Sequence, residues 1–292
     1  MNYSNKWTER ILLAIQNAYL EVKALIGTKE GNQKHTIGAG GDLTLEIDKR
    51  AENLIIQTLE SYNEPLIFVS EEIGKFYWDP VTKKRIFKFV STICSDYVII
   101  DPIDGSTNAK RGIPFSCISV AYADGPTLND IQVGVVFNIG TEDLFLAEKK
   151  MGAFLNNNPI KCSQTKKLAN SVAGTDIHIR DFCEPNIMEK NIVLKYARKV
   201  RIMGSSAMEI CLVAAGSLDF YIDFRGISRI CDFAAAYLIV KEAGGFFIND
   251  KGRVISKATN KFSLNKRYNL LVGCPGLKEI VKKKLFPDKY NR

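Results

Sequence analysis

The chain has 292 residues, 46% hydrophobic and 25% charged, the balance of a globular protein with one large domain or two interlocked halves. No apolar run approaches the ~20 residues that span a bilayer. The polar start from Met1 to Arg10 lacks the basic-then-apolar order of a signal peptide, so a soluble, cytoplasmic protein without membrane contacts is expected. The net charge of +8 suits either an anionic partner or a plain lysine-rich surface; the basic tail VKKKLFPDKYNR lacks interleaved stacking aromatics, and no nucleic acid is expected.

Apolar residues at Ile11, Leu12, Ile15, Tyr19, Val22 and Ile26 recur at helical spacing, which predicts a helix over 7–26. Ala51, Leu54, Ile55 and Leu59 mark a second helix over 48–62. Between them TKEGNQKHTIGAGGDLT, rich in glycine and charge, reads as a mobile loop centred on 29–42. PLIFVSEE and DYVIID are strands that end in acids, and FSCISVAYA, IQVGVVFN, EDLFLAE and GAFLN continue as short strands of an antiparallel or mixed sheet.

A soft boundary falls at 161–170. Beyond it, SVAGTD, DFYIDFR and GGFFIN read as strands, with helices over 188–199, 206–215, 233–242 and 277–285. The whole is α/β (α+β): a meander-like half over 1–165, carrying the candidate site, and a layered α/β half over 166–292, joined as one compact unit.

Seven cysteines are scattered without a C-x-x-C pair, which argues against a disulfide framework and against structural zinc. With His35 and His178 as the two histidines, carboxylates are the better-supplied chemistry. Five of them, Asp48, Glu71, Asp101, Asp104 and Asp232, stand at the ends of apolar elements. Each alone has a structural explanation: Asp101 and Asp104 as turn residues, Glu71 as a strand exit, Asp232 as a helix N-cap, Asp48 as an exposed first-turn acid. Gathered at strand ends in one crevice they would repel one another, and divalent cations would relieve that conflict. An all-oxygen set without histidine suits Mg2+ or Mn2+ over zinc.

In DPIDGSTN, Pro102 stiffens the turn and the i, i+3 spacing of Asp101 and Asp104 lets both face the same ions. The amides of Gly105, Ser106 and Thr107 follow at a helix start, where they are free to hold a phosphate. The aspartyl-phosphate motif D-x-D-G-T has one residue between its acids and this stretch has two, and no G-x-x-x-x-G-K-[ST] occurs.

These segments resemble the inositol monophosphatase family. VSEE is similar to its G-E-E segment, DPIDGSTN to its D-P-[IL]-D-G-T-x-N signature, ICDFAAAYLIVKEAGG to its W-D-x-x-A-…-E-A-G-G signature, and GSSAMEICLVAAGSLDFYI to its substrate-contacting segment, all in the family's order. The resemblance implies a layered αβαβα sandwich, commonly a homodimer. It implies a phosphomonoesterase requiring two or three Mg2+, with Mn2+ as an alternative. Glu71, Asp101, Asp104, Asp232 and the Ile103 carbonyl would be metal ligands. Asp48 and Ser106 would position the attacking water, with Glu71 also counted as catalytic. Gly105, Ser106 and Thr107 would hold phosphate, and Gly204, Ser205 and Ser206 would face the polyol.

Cys231 replaces the aromatic that often precedes the last Asp. The loop GAGGDLTLEIDKRAE looks like that of archaeal-type members acting on both fructose-1,6-bisphosphate and inositol-1-phosphate. Arg225 stands where animal members carry a Glu that binds inositol hydroxyls. Arg225, with Arg229, Lys199 or Arg201, is therefore expected to read a second, non-reacting phosphate. The alternatives are a 3'(2'),5'-bisphosphate nucleotidase, which shares these acids, and a catalytically silent binding or regulatory protein.

Overall fold

Two strands buried along nearly their whole length, Leu66–Ser70 (β3) and Tyr97–Asp104 (β6), run parallel at the centre of the molecule. Their apolar runs are almost continuous because helices cover both faces of the sheet they belong to. The structure is a computed structural model that describes residues 3–88, 93–177, 192–255 and 261–285.

Two short strands, Lys34–Ile37 (β1) and Leu43–Leu45 (β2), form an antiparallel ribbon. The large sheet adds Gly74–Asp79 (β4), Lys84–Ile86 (β5), Cys117–Ala123 (β7), Ile131–Asn138 (β8), Leu144–Glu148 (β9), Gly152–Leu155 (β10) and Asn158–Ile160 (β11). Its nine described strands run in the order β11-β10-β9-β8-β7-β6-β3-β4-β5, antiparallel except for the β3–β6 pair. A second sheet has the order β13-β12-β14-β16-β15, built from Val172–Thr175 (β12), Lys199–Arg201 (β13), Phe220–Ser228 (β14), Phe246–Ile248 (β15) and Tyr268–Gly273 (β16).

Helices Lys6–Val22 (α1) and Glu46–Glu60 (α2) cover one face of the large sheet. They bury Trp7, Ile11, Ile15, Ile47, Ile55 and Leu59 with Phe68, Val98, Ile100 and Val120. The other face meets Ser206–Ala214 (α4) and Ala234–Glu242 (α5), both buried almost all round, and beyond them lies the second sheet. Lys278–Leu285 (α6) packs on the outside against the 3-10 turn Ile192–Tyr196. The αβαβα layering is the one expected. A short helix, Ser106–Arg111 (α3), follows β6.

Three expectations need correction. Helix α1 stops at Val22 instead of residue 26: the next turn tightens, Leu25 N–H donating to the Val22 carbonyl at 2.9 Å, and Gly27 then turns the chain at a φ of +70°. The stretch expected to be a loop contains the β1–β2 ribbon, whose turn is bonded to the sheet: Ala39 N–H donates to the Glu72 carbonyl at 2.8 Å and Gly40 N–H to that of Glu71 at 2.7 Å. The helix expected over 188–199 is, in its described part, the 3-10 turn Ile192–Tyr196 followed by β13; residues 188–191, like His178 and Cys183, lie outside the described residues. The other six cysteines are unbridged, and five of them are buried.

Candidate metal centre

Regular β geometry would send Asp101 and Asp104 to opposite faces, since side chains alternate with a period of two. The pairing with β7 shows how they come to share one. Asp101 opposes Ser119 and Asp104 opposes Cys117, so three steps on β6 match two on β7. This β-bulge inserts one residue and turns the second acid back to the side of the first. Pro102 sits inside it, where a ladder hydrogen bond is already lost. Glu71 directly follows β3, its N–H donating to the Ile100 carbonyl at 3.3 Å. Asp232 lies in the turn before α5, whose N-cap is Phe233, so it is not itself the cap. Cys231, with its sulfur 3.5 Å from the Val69 carbonyl, ties that turn to the end of β3.

One oxygen each from Glu71, Asp101 and Asp232 can be chosen so that all lie within 4.8 Å of one another. Asp104 stands beside them with Oδ2 held by the Ser205 hydroxyl at 2.7 Å and the Ala207 N–H at 2.6 Å. Asp101 Oδ1 is buried without a hydrogen-bond partner. Burial pushes the Glu71 carboxyl up to about 8, Asp232 adding repulsion against the relief from Arg229, and pushes Asp104 up to about 7. Asp101 is held well above the carboxylate range by burial and then by Glu71 and Asp104. Asp232 is raised by burial despite Arg229. A buried oxygen with no donor, among acids that resist ionising, fits a divalent cation bound by oxygen ligands.

Asp48 is buried in the first turn of α2, 2% exposed, instead of standing in solvent. Its Oδ2 accepts from Leu45 N–H at 3.0 Å, and the Ser106 hydroxyl lies 3.3 Å from its Oδ1 and 2.9 Å from the Ile103 carbonyl oxygen. Burial, with Glu72 nearby, pushes Asp48 up to about 7. Gly105 caps α3 at a φ of +85°; a Cβ there would stand 3.0 Å from the Phe115 carbonyl oxygen and 3.1 Å from that of Gly204. Only glycine fits that turn without strain.

These groups border one cavity of about 720 Å³. Glu71, Asp101, Ile103, Asp104 and Asp232 line it, as do Gly105, Ser106, Thr107, Gly204, Ser206, Arg225 and Arg229. Asp48 and Ser205 stand behind the lining; Ser205 is 1% exposed and turned onto Asp104. Lys199 and Arg201 lie on exposed β13, away from the lining. Arg225 is bound to Asp223 and, at 2.7 Å, to Asp176.

Sequence reasoning missed Lys34, Lys110, Asp176 and Arg267 on the cavity wall. Asp176 follows β12 as Glu71 follows β3, so the strand-end pattern could have found it; the three cations carry no such signal.

The sequence matches the inositol monophosphatase family over residues 6–279. This chain belongs to that family. Among relatives, the fructose-1,6-bisphosphatase/inositol-1-monophosphatase of Methanothermobacter thermautotrophicus is 37% identical over 245 residues, 82% of each chain. A bifunctional NADP phosphatase/NAD kinase of Methanococcus maripaludis is 36% identical over 80% of this chain, which spans 42% of that longer protein. Among solved structures, an inositol monophosphatase-fructose 1,6 bisphosphatase superposes with a TM-score of 0.76 at 27% identity, covering 96% of this chain and 99% of its own. The extragenic suppressor protein suhB of Bartonella henselae gives 0.76 at 25% identity, covering 96% and 98%. The inositol monophosphatase fold therefore extends through both sheets, and no described helix is long and apolar enough to cross a membrane.

Proposed function

We propose that the chain is a Mg2+-dependent phosphomonoesterase acting on sugar and polyol phosphates, with fructose-1,6-bisphosphate and inositol-1-phosphate as its substrates. The observation that carries this reading is the convergence of Glu71, Asp101 and Asp232 around a partnerless Asp101 oxygen. Mg2+ would be held by these three acids with Asp104 and the Ile103 carbonyl; when bound, it supplies Lewis-acid activation of water and charge neutralisation at phosphorus.

The remaining work falls to the chain itself. Ser106, shared between Asp48 and the Ile103 carbonyl, orients the attacking water. Asp48, pushed up to about 7, is poised to take a proton near neutral pH, where a general base is most effective. The amides of Gly105, Ser106 and Thr107 hold phosphate oxygens at the start of α3. Gly204 and Ser206 face the alcohol, and Ser205 fixes Asp104.

A second, non-reacting phosphate meets the cations of the cavity wall. Arg225 is already compensated, because Asp223 and Asp176 surround it, and Arg229 is engaged by Glu71, Asp232 and Asp42. Arg267 donates to the Leu264 and Gly40 carbonyls, and no carboxylate among the described residues pairs with Lys34 or Lys110. These three are the better anion readers.

A second reading, removal of a nucleotide 2'-phosphate, is favoured by the similarity to the bifunctional NADP phosphatase/NAD kinase of Methanococcus maripaludis. Phosphate release from fructose-1,6-bisphosphate, inositol-1-phosphate, adenosine 3',5'-bisphosphate and NADP, with Mg2+ and with EDTA, tests both. Release from the first two that EDTA abolishes is the expected result. Preference for NADP selects the second reading, and no release from any of them removes both. The reading includes a cytoplasmic homodimer, for which sedimentation measures the assembly.

A further inference from the structure

Arg229 is anchored at three points around the acids. Its Nη2 lies 2.6 Å from Glu71 Oε1, its Nε 3.2 Å from Asp232 Oδ1 and its Nη1 2.9 Å from Asp42 Oδ2, while its backbone N–H donates to Asp232 Oδ2 at 2.8 Å. The first two contacts are made deep in the cavity, where the Arg229, Glu71 and Asp232 side chains are 11 to 13% exposed; Asp42 is 76% exposed, on the turn of the β1–β2 ribbon. The seat is shaped for the guanidinium. A Cβ on Gly40 would fall 2.4 Å from Nη1, so a bare glycine lets the arginine pass beneath the ribbon. Two of the three converging carboxylates thus share one positive charge supplied from within the chain, by a cation that cannot lose it.

We propose that Arg229 is the resident counter-cation of the metal-free pocket, and that a divalent ion binds by displacing its guanidinium from Glu71 and Asp232 toward Asp42. This rests on the metal-dependent reading above. Two effects of opposite sign follow from one side chain. Arg229 stabilises the metal-free fold by offsetting buried negative charge, and it weakens metal binding by competing for the same oxygens. A group that only packed, or only met substrate, would not produce that pair of effects.

The test uses the full chain and Mg2+ alone. Calorimetric titration with MgCl2, without substrate, is compared for wild type, Arg229→Gln and Arg229→Lys, with melting temperatures in EDTA and in Mg2+. Gln removes the charge and is expected to tighten Mg2+ binding at least about tenfold. It is also expected to lower the metal-free Tm by several degrees. Lys keeps the charge and is expected to stay within about threefold of wild type. If the Gln variant is unfolded in EDTA, refolding during the Mg2+ titration reads the same affinity. Failure to refold at Mg2+ that saturates wild type overturns the proposal, as does a Gln variant binding Mg2+ no more tightly than wild type. Wild type that neither takes up Mg2+ nor releases phosphate from any substrate removes the metal-dependent reading, and the proposal with it.

Discussion

Asp48→Asn separates the catalytic role of this carboxyl from its cost to the fold. Asp48 is 2% exposed, and burial with Glu72 nearby lifts it from an ordinary 3.8 to about 7. Between those values the folded state holds a proton that the unfolded chain has released, so stability falls as pH rises through that window. The gap, at ~1.36 kcal/mol per decade, sets a cost of about 4 kcal/mol once both states are ionised. Asparagine is neutral and escapes that cost, but accepts less strongly from Leu45 N–H and Ser106, a loss of about 1 kcal/mol. In EDTA the variant should therefore exceed wild type by about 3 kcal/mol at pH 8 and by less than about 1 kcal/mol at pH 5. Urea denaturation at the two pH values measures this directly. The same variant should lose roughly 10²–10⁴-fold in kcat with Mg2+ present. Parallel pH dependence in the two proteins would show that Asp48 ionises without penalty and would remove the argument for a tuned base.

Gly105→Ala should destabilise by about 1–3 kcal/mol, because its φ of +85° and the Phe115 carbonyl oxygen 3.0 Å from the new Cβ both oppose it; an unchanged urea midpoint would mean the turn relaxes freely. Asp104→Asn should leave the melting temperature within a few degrees while phosphate release falls beyond the roughly 10–100-fold that losing a ligand's partner costs. Substantial Mg2+-dependent turnover in that variant would contradict its assignment as a ligand. Mg2+ should raise the melting temperature more at pH 8 than at pH 5, since at low pH protons compete for Glu71 and Asp104, pushed up to about 8 and about 7. Equal shifts at both pH values would place the ion elsewhere.

The acids were legible because the features that reveal them are local. An apolar run that stops in a carboxylate marks a strand end whether or not its partners are known, and Glu71, Asp101 and Asp104 were found that way. The reason the i, i+3 spacing works was not local: it needs the bulge opposite Ser119 and Cys117, which depends on where β7 runs. The β1–β2 ribbon was hidden for the opposite reason. Its strands are short and joined by a Gly-rich turn, and part of its order comes from bonds to the Glu71 and Glu72 carbonyls, which no periodicity within 29–42 can report. Strands β5 and β11 were passed over because they are three-residue pieces at the edges of the large sheet, and β4 and β16, inside their sheets, were passed over as well.

Charge was the least legible property, because a count of cations does not say which are already spent. The net charge of +8 and the position of Arg225 both suggested that this arginine would meet an anion. Its guanidinium instead lies against Asp223 and Asp176, two carboxylates for one positive charge, so an incoming phosphate meets a locally negative group there. Lys34 and Lys110 carry no motif, yet they stand on the cavity wall without an acid partner among the described residues. Arg229 shows the same principle at shorter range: sequence adjacency placed it near Asp232, but only the fold brings Glu71 to 2.6 Å and Asp42 to 2.9 Å of the same guanidinium. A phosphate is drawn to the cations the fold leaves uncompensated, and which those are is decided by partners far away in the chain. Substrate preference in this protein is therefore expected to follow Lys34, Lys110 and Arg267 more closely than Arg225. Alanine variants of the first three should lose more kcat/KM on a bisphosphate than on a monophosphate, and a selective loss confined to Arg225→Ala would reverse that ordering.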